Sequence, residues 1–224
     1  VNPYYSDDLV TLYHGDCREV TGWLDADVLV TDPPYGVKIH ANHRQQIQGD
    51  NGPELRDAAI ALWGAVRPAL VFGRWDIPRP AGTHERLIWD KNLIGRGNLR
   101  KPWGRSDEEV YVLGEWPPVR PGGRAREGGT PSRSSNVLRV QAYAPGPARP
   151  DHPTPKPPAL MVRLIDKCPP GVVADPFAGS GSTLVAARQL GRRVVGVEVE
   201  ERYCELIATR LSEAIVEPMF EVAL

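Results

Sequence analysis

Two short segments carry the residue types that could do chemistry. Asp32-Pro33-Pro34-Tyr35 follows an apolar run from Asp27 to Thr31, and roughly 140 residues later a second run ends in Asp175-Pro176-Phe177-Ala178-Gly179-Ser180-Gly181-Ser182-Thr183. In the first, successive prolines remove backbone donors and stiffen the turn, leaving carbonyl oxygens free to accept. One carboxylate and one such carbonyl can take both hydrogens of a planar exocyclic amine. The lone pair of that amine is delocalised into its ring. Hydrogen bonds to Asp32 and to the Pro33 carbonyl would favour a tetrahedral nitrogen, localise the pair and aim it at an electrophile. Tyr35 offers a flat face on which a base can stack. An ordinary proline turn after a strand is the competing reading.

The second segment places a Gly-rich turn between a strand and a helix, where a ligand meets strand ends and a helix N-terminus. Gly179 and Gly181 let a backbone come close to that ligand. No lysine follows Gly181, so this is not a phosphate-binding P-loop, and Leu184 breaks the GxGxxG spacing of dinucleotide sites. Asp175 suits an ammonium better than a phosphate. About twenty residues on, Glu198 ends another apolar run, where an acid can accept from two ribose hydroxyls. An amino acid joined to a ribose without phosphate describes S-adenosylmethionine. Either acid alone reads equally well as a capping carboxylate on a solvated turn; the pair in this frame does not.

Both segments need strands beneath them. β-rich runs occur at Thr11–His14, Asp27–Thr31, Ala69–Phe72, Arg86–Trp89, Glu109–Leu113, Gly171–Ala174 and Arg193–Val197. Helical periods separate them, which predicts a mostly parallel sheet covered on both faces, an α/β fold. Helices are expected over Glu54–Arg67, with Leu55, Ala58, Ala59, Leu62 and Val66 inward, and over Ala159–Lys167, with Leu160, Met161, Leu164 and Ile165 inward. A third runs from Gly181 to Gly191. A fourth starts near Glu201 with Tyr203, Leu206, Ile207, Leu211 and Ile215 on its inner face.

At 224 residues with net charge −1, the chain is long enough for one catalytic domain over 1–224 and is no polycation. Its three cysteines, Cys17, Cys168 and Cys204, form no CxxC pair, which favours a reduced compartment and no zinc site. No apolar stretch reaches spanning length and Val1-Asn2-Pro3-Tyr4 lacks a signal pattern, so a cytoplasmic protein without membrane or metal is expected. The stretch from 114 to 150 differs from the rest. Between Arg120 and Pro150 stand Arg120, Arg124, Arg126, Arg133, Arg139 and Arg149 against Glu127 alone, and ten of 31 residues are Gly or Pro. Such a stretch is a solvated linker or a basic nucleic-acid-contacting insert. Arg96, Arg100, Lys101 and Arg105 make a second basic cluster that could meet phosphates or be solvated. His40 and His43 are too few for a metal site and read as loop residues over substrate. Trp63, Trp75, Trp89, Trp103 and Trp116 read as core or turn packing.

Taken in order, Leu12-Tyr13-His14-Gly15-Asp16-Cys17, the DPPY turn, Leu87-Ile88-Trp89-Asp90-Lys91, His152-Pro153-Thr154-Pro155-Lys156-Pro157, the DPFAGSGST turn and Gly196-Val197-Glu198 resemble the S-adenosylmethionine-dependent DNA amino-methyltransferases of the permuted class, in which catalytic motifs precede the cofactor motif. The resemblance implies a circularly permuted Rossmann-like fold with a mostly parallel seven-stranded sheet. In that sheet the Thr11–His14 strand lies beside the strand ending at Glu198, and the two turns lie on adjacent strands. It implies catalytic roles for Asp32, Pro33, Pro34 and Tyr35. Asp16, with Cys17 beside it, would approach the cofactor adenine, and Thr154 and Lys156 the methionine carboxylate. Asp175, Phe177, Ala178, Gly179, Ser180, Gly181, Ser182 and Thr183 would surround methionine and ribose, with Asp32 facing the methyl and Glu198 the ribose. The 114–150 insert would be the target-recognition region, with Arg120, Arg124, Arg126, Arg133 and Arg139 on DNA. The expected reaction is methylation of adenine N6 in a short site of duplex DNA, by an enzyme able to pair as a homodimer and to serve restriction-modification. Cytosine N4, an RNA target and a non-catalytic relative are the alternatives.

Overall fold

Val28-Leu29-Val30-Thr31 is buried at every position, as a strand covered on both faces must be. A computed structural model of the chain describes residues 1–34, 52–92, 102–118, 134–143 and 149–213. Its elements are β1 (Tyr5–Ser6), β2 (Val10–His14), a single 3-10 turn (Gly22–Asp25), β3 (Val28–Thr31), α1 (Glu54–Trp63), β4 (Ala69–Gly73), β5 (Glu85–Asp90), β6 (Asp107–Leu113), β7 (Val137–Arg139), α2 (Pro158–Ile165), β8 (Val173–Asp175), α3 (Ser182–Gln189), β9 (Val194–Glu198) and α4 (Glu201–Glu213). Tyr35, His40, His43, Arg96, Arg100, Lys101, Arg120, Arg124, Arg126, Arg133 and Ile215 lie outside the described residues.

Among the described residues one sheet holds all strands, in the order β1-β2-β9-β8-β3-β4-β6-β5-β7. The seven expected strands are present, but the sheet has nine strands and is mixed rather than seven-stranded. β1 is antiparallel to β2, and β6 is antiparallel to both its neighbours, β4 and β5. The reversal has a local cause. The link between β4 and β5, residues 74–84, contains no helix, so it is not the usual crossover between adjacent parallel strands, and β6 fills the place between them. β2 pairs in parallel with β9, bringing His14 opposite Glu198. β3 pairs in parallel with β8, Leu29 opposite Ala174. Both adjacencies implied by the resemblance are thus present.

Alternation along each strand divides the core in two. Val28 and Val30 pack with Leu70, Phe72, Leu160, Leu164, Leu184 and Ile207 on the α2–α4 face. Leu29 packs with Trp23, Ala59, Trp63, Val71 and Tyr111 on the opposite face, under α1 and the 3-10 turn. α2 buries the four residues expected of it. α1 does not: it ends at Trp63 and buries Arg56, Ala59 and Trp63, leaving Leu62 and Val66 exposed. The indole decides the helix rotation because it has more area to bury than Leu62. Trp63 stacks on Trp23 with centroids 5.9 Å apart, and the Arg67 guanidinium lies 3.5 Å from its ring centroid. Trp89 is buried and Trp116 half-buried, whereas Trp75 and Trp103 are 67% and 88% exposed, contrary to the packing role read for them. Arg105 lies over Trp75 and is ion-paired with Asp76.

The Arg-rich stretch is also not wholly loop. Val137-Leu138-Arg139 pairs in parallel with β5, and the Trp89 indole N–H donates to the Val140 carbonyl at 2.7 Å. Two apolar residues suffice there because the edge of β5 offers unpaired backbone groups. Arg149 is structural: its guanidinium donates to the carbonyls of His152 and Pro153 and holds that segment in place.

The β8–α3 turn depends on Gly181, at φ +77°, where an added Cβ would stand 2.8 Å from Ile207 Cγ1 of α4. Gly191, at φ +65°, has open space around it. Gly181→Ala should therefore lose about 2–4 kcal/mol of unfolding free energy in urea titration, from backbone strain plus the clash. Gly191→Ala should lose only about 1 kcal/mol.

Candidate active site

Parallel strands deliver their last residues to one edge of a sheet, and here β2, β9, β8 and β3 end side by side. Asp16, Glu198, Asp175 and Asp32 follow or close these four strands. A cavity of about 350 Å³ opens along that edge, at the lower end of the range for small-molecule clefts.

The catalytic turn forms one end of the cavity, with Asp32, Pro33 and Pro34 in its wall. Asp32 Oδ2 accepts from Lys156 Nζ, and Oδ1 is buried with no hydrogen-bond partner among the described residues. Lys156 is itself only 5% exposed and stands 3.3 Å from Glu108 Oε2, while Lys91 Nζ is 2.5 Å from Glu108 Oε1. β6 runs antiparallel, so its first residues reach the edge where the other strands end. Burial raises the Asp32 carboxyl above the ordinary range; the Lys156 ammonium opposes this and the Glu108 charge adds to it. Burial also disfavours the Lys156 ammonium, but Asp32 and Glu108 outweigh it and hold the proton on the amine. Lys156 lines the cavity, yet its ammonium is engaged by these carboxylates, whereas the resemblance pointed it at the cofactor carboxylate.

The acids of the second turn are held by short bonds. Thr31 Oγ1 donates to Asp175 Oδ1 at 2.7 Å, joining the ends of β3 and β8, and the Phe177 N–H reaches the same oxygen at 3.2 Å. Burial, partly offset by these bonds, pushes Asp175 up to about 6. The Gly179 N–H donates to Glu198 Oε2 at 2.7 Å and the Glu200 N–H to Oε1 at 2.8 Å. Burial pushes Glu198 up to about 7 in spite of them. Asp175 Oδ1 thus accepts twice, whereas each Glu198 oxygen accepts once and has a second lone-pair direction left for a ligand. Phe177, Ala178, Gly179 and Ser180 line the cavity, as do Ser182 and Thr183. Gly181 does not, since Ile207 occupies the space beside it; its role is in packing α4.

On the β2 side, Asp16 and Cys17 line the cavity. The Arg18 guanidinium binds both Asp16 oxygens, at 2.9 Å and 2.5 Å, and holds that carboxyl below its usual range. Burial pushes the Cys17 thiol up to about 12, so it is no nucleophile. Thr154 lines the wall, its N–H donating to His152 Nδ1 at 3.2 Å. His152 packs edge-on against Tyr203, ring centroids 4.7 Å apart, and burial with nearby cations drops its pKa to about 3, so the imidazole is neutral. The Tyr203 hydroxyl is buried without a partner among the described residues, although Tyr203 also lines the cavity. Arg18, Glu108, Lys91, His152 and Tyr203 were not among the site residues expected from sequence. Tyr203 and His152 had a signal, the inner face of α4 and the HPTPKP segment. Glu108 had none, because its place depends on the direction of β6.

A carboxylate pair on adjacent strands, an orphan tyrosine hydroxyl and a cavity of this size suit a nucleoside joined to an amino acid. Among the described residues no cluster of three or more His, Cys, Asp or Glu is placed to hold a metal, and no helix is long and apolar enough to cross a membrane.

Comparison with known proteins agrees with this chemistry. A family profile described as "DNA methylase", of the N6/N4 methyltransferase type, matches residues 74–209, more than half the chain. "Putative methylase YubD" of Escherichia coli (strain K12) is 54% identical over 210 residues, covering 84% of each chain. Among solved structures, the M1.HpyAVI–SAM complex superposes with TM-score 0.60 at 21% identity, covering 90% of this chain and 100% of that one. The PvuII DNA methyltransferase (cytosine-N4-specific) gives TM-score 0.65 at 16% identity, covering 98% and 91%. These likenesses show a Rossmann-like fold. With the profile and the 54% relative, the chain belongs to the N6/N4 DNA methylase family and is a DNA methyltransferase that uses S-adenosylmethionine.

Proposed function

We propose that this enzyme methylates the N6 amine of adenine in duplex DNA, with the target nucleotide flipped out of the stack toward Asp32. The observation that carries the reading is the state of Asp32, a residue of the cavity wall one strand from Asp175: Oδ2 is taken by Lys156, while Oδ1 is buried without a partner among the described residues. S-adenosylmethionine, when bound, supplies an electrophilic methyl on a sulfonium. Asp32 Oδ1 and the Pro33 carbonyl accept the two amine hydrogens, localise the nitrogen lone pair and stabilise the positive charge that develops on nitrogen. Tyr35 stacks on the base, and such stacking, worth about 1–3 kcal/mol, offsets much of the few kcal/mol needed to flip it. Asp175 faces the cofactor ammonium and Glu198 its ribose hydroxyls.

Asp at the first position of the DPPY turn supports adenine, because resembling enzymes with Asp there act mostly on adenine and those with Ser mostly on cytosine. Cytosine N4 is the second reading, since its amine presents the same geometry and the fold is also that of a cytosine-N4-specific enzyme. Recognition of the site is assigned to the 114–150 insert. Within it Arg139 stands at the sheet edge, 77% exposed and only 3.6 Å from Asp90, free to exchange that weak pair for a phosphate.

Genomic DNA treated with the enzyme and labelled cofactor, then digested to nucleosides, should carry label in N6-methyladenine; label confined to N4-methylcytosine would reverse the assignment. Asp32→Ala should lower turnover at least about 10³-fold with cofactor affinity held within a few-fold, read by single-turnover assay and equilibrium dialysis.

Asp175 and Glu198 make cofactor binding pH-dependent. Both have folded-state values, about 6 and about 7, above the unfolded range near 4. The folded protein therefore holds more protons between those limits, and the ligand-free protein loses stability as pH rises from about 4 to about 7. An ammonium and two hydroxyl donors favour the ionised acids. Cofactor affinity should then rise from pH 5.5 to about 7.5 and level off, with protons released on binding. Calorimetry in buffers of different ionisation enthalpy measures both, and flat affinity across that range would contradict the assigned contacts.

A further inference from the structure

Four charged side chains from four places in the chain meet at one end of the cavity: Asp32 after β3, Lys91 after β5, Glu108 in β6 and Lys156 before α2. Alternating in sign, they run Asp32, Lys156, Glu108, Lys91, each in ion-pair contact with the next. A surface chain of this kind would be worth little, but Lys156 and Glu108 are nearly sequestered, with side chains 5% and 13% exposed. Lys156 Nζ also lies 5.0 Å from the Phe72 ring centroid, which gives it an apolar neighbour beside the two acids.

We infer that Lys156 is a positioning residue for Asp32: it keeps the carboxylate ionised beside Glu108 and holds Oδ2, so that Oδ1 alone is presented to the target amine. The inference rests on Asp32 being the amine acceptor. Two carboxylates converging on a poorly solvated site cannot both stay charged unless a cation lies between them, since like charges favour a shared proton. With Lys156 neutral, Asp32 would take that proton. It would then be a poor acceptor for the amine and would carry no charge to set against the cation forming on nitrogen. Lys91 serves Glu108 in the same way from the other side. Asp175 of β8 is a further charged group that interacts with Asp32, and it adds to the demand for a cation. Burial places Asp32 above the ordinary carboxylate range, which brings its titration within reach of a pH–rate profile.

The test measures single-turnover methyl transfer from pH 4.5 to 9.5, together with cofactor affinity, for wild type, Lys156→Gln, Lys156→Arg, Glu108→Gln, Asp32→Asn and the Lys156→Gln/Glu108→Gln pair. Lys156→Gln should lose about 100-fold at pH 7, with the rising limb of the profile displaced upward by one unit or more, the rate partly recovering at alkaline pH and cofactor affinity changed less than about threefold. Lys156→Arg, which keeps the charge, should retain the wild-type limb. Adding Glu108→Gln to Lys156→Gln removes the like charge and should bring the limb back down. Glu108→Gln alone should lower it below wild type, and this reads the same coupling if Lys156→Gln does not fold.

An unmoved limb in Lys156→Gln with uniform loss of rate would overturn the inference in favour of a structural role. A tenfold or greater loss of cofactor affinity with the limb unmoved would overturn it in favour of a cofactor ligand. If Asp32→Asn keeps wild-type turnover, the role of Asp32 fails by itself, whatever Lys156 does.

Discussion

A lysine ammonium buried between two carboxylates is the interaction on which the site depends. Lys156 ties the turn after β3 to the start of β6 and to the segment that leads into α2, residues 124 and 48 positions away along the chain. Removing a partner from such a cluster leaves an uncompensated charge out of water, so the cluster demands that every contributing element be held firmly. The elements are built for that. Pro157 and Pro158 start α2 where missing amide hydrogens do no harm, and Leu160, Met161, Leu164 and Ile165 anchor it to the sheet. Arg149 fastens the approach to this helix by binding backbone carbonyls at His152 and Pro153.

The sheet order supplies the second level of organisation. Because β2, β9, β8 and β3 are neighbours and run the same way, the acids that follow or close them form a row along one edge. Hydrogen bonds across that row, from Thr31 to Asp175 and from Gly179 to Glu198, join one turn to the next strand. The acids are therefore oriented before any ligand arrives. The raised pKa values of Asp175 and Glu198 are the cost of that arrangement: carboxylates buried in a sheltered groove resist ionisation, and cationic and hydrogen-bond-donating partners relieve it. Reversal of β6 extends the row in the other direction. An antiparallel strand begins where its neighbours end, so Glu108, which belongs to no motif, arrives beside the catalytic turn and meets Lys91 from the end of β5 there.

Sequence alone determined the features whose causes are local. Seven strands and the start of each major helix followed from apolar period, proline and glycine, and the two turns announced their chemistry through residues adjacent in the chain. The N-terminal strand's place beside β9 was also expected, through the resemblance that the order of the motifs carries. What sequence could not decide were contests between distant groups. The burial of Trp63 over Leu62 depended on Trp23 and Arg67 lying ready to receive the indole. β7 formed inside a stretch rich in Arg, Gly and Pro because the edge of β5 was open to it. Lys156 was legible as a site residue, but its partner was not. Which carboxylates surround an ammonium depends on strand direction and order, and a strand's apolar pattern reads the same in either direction, so only the folded sheet could bring Asp32 and Glu108 to it.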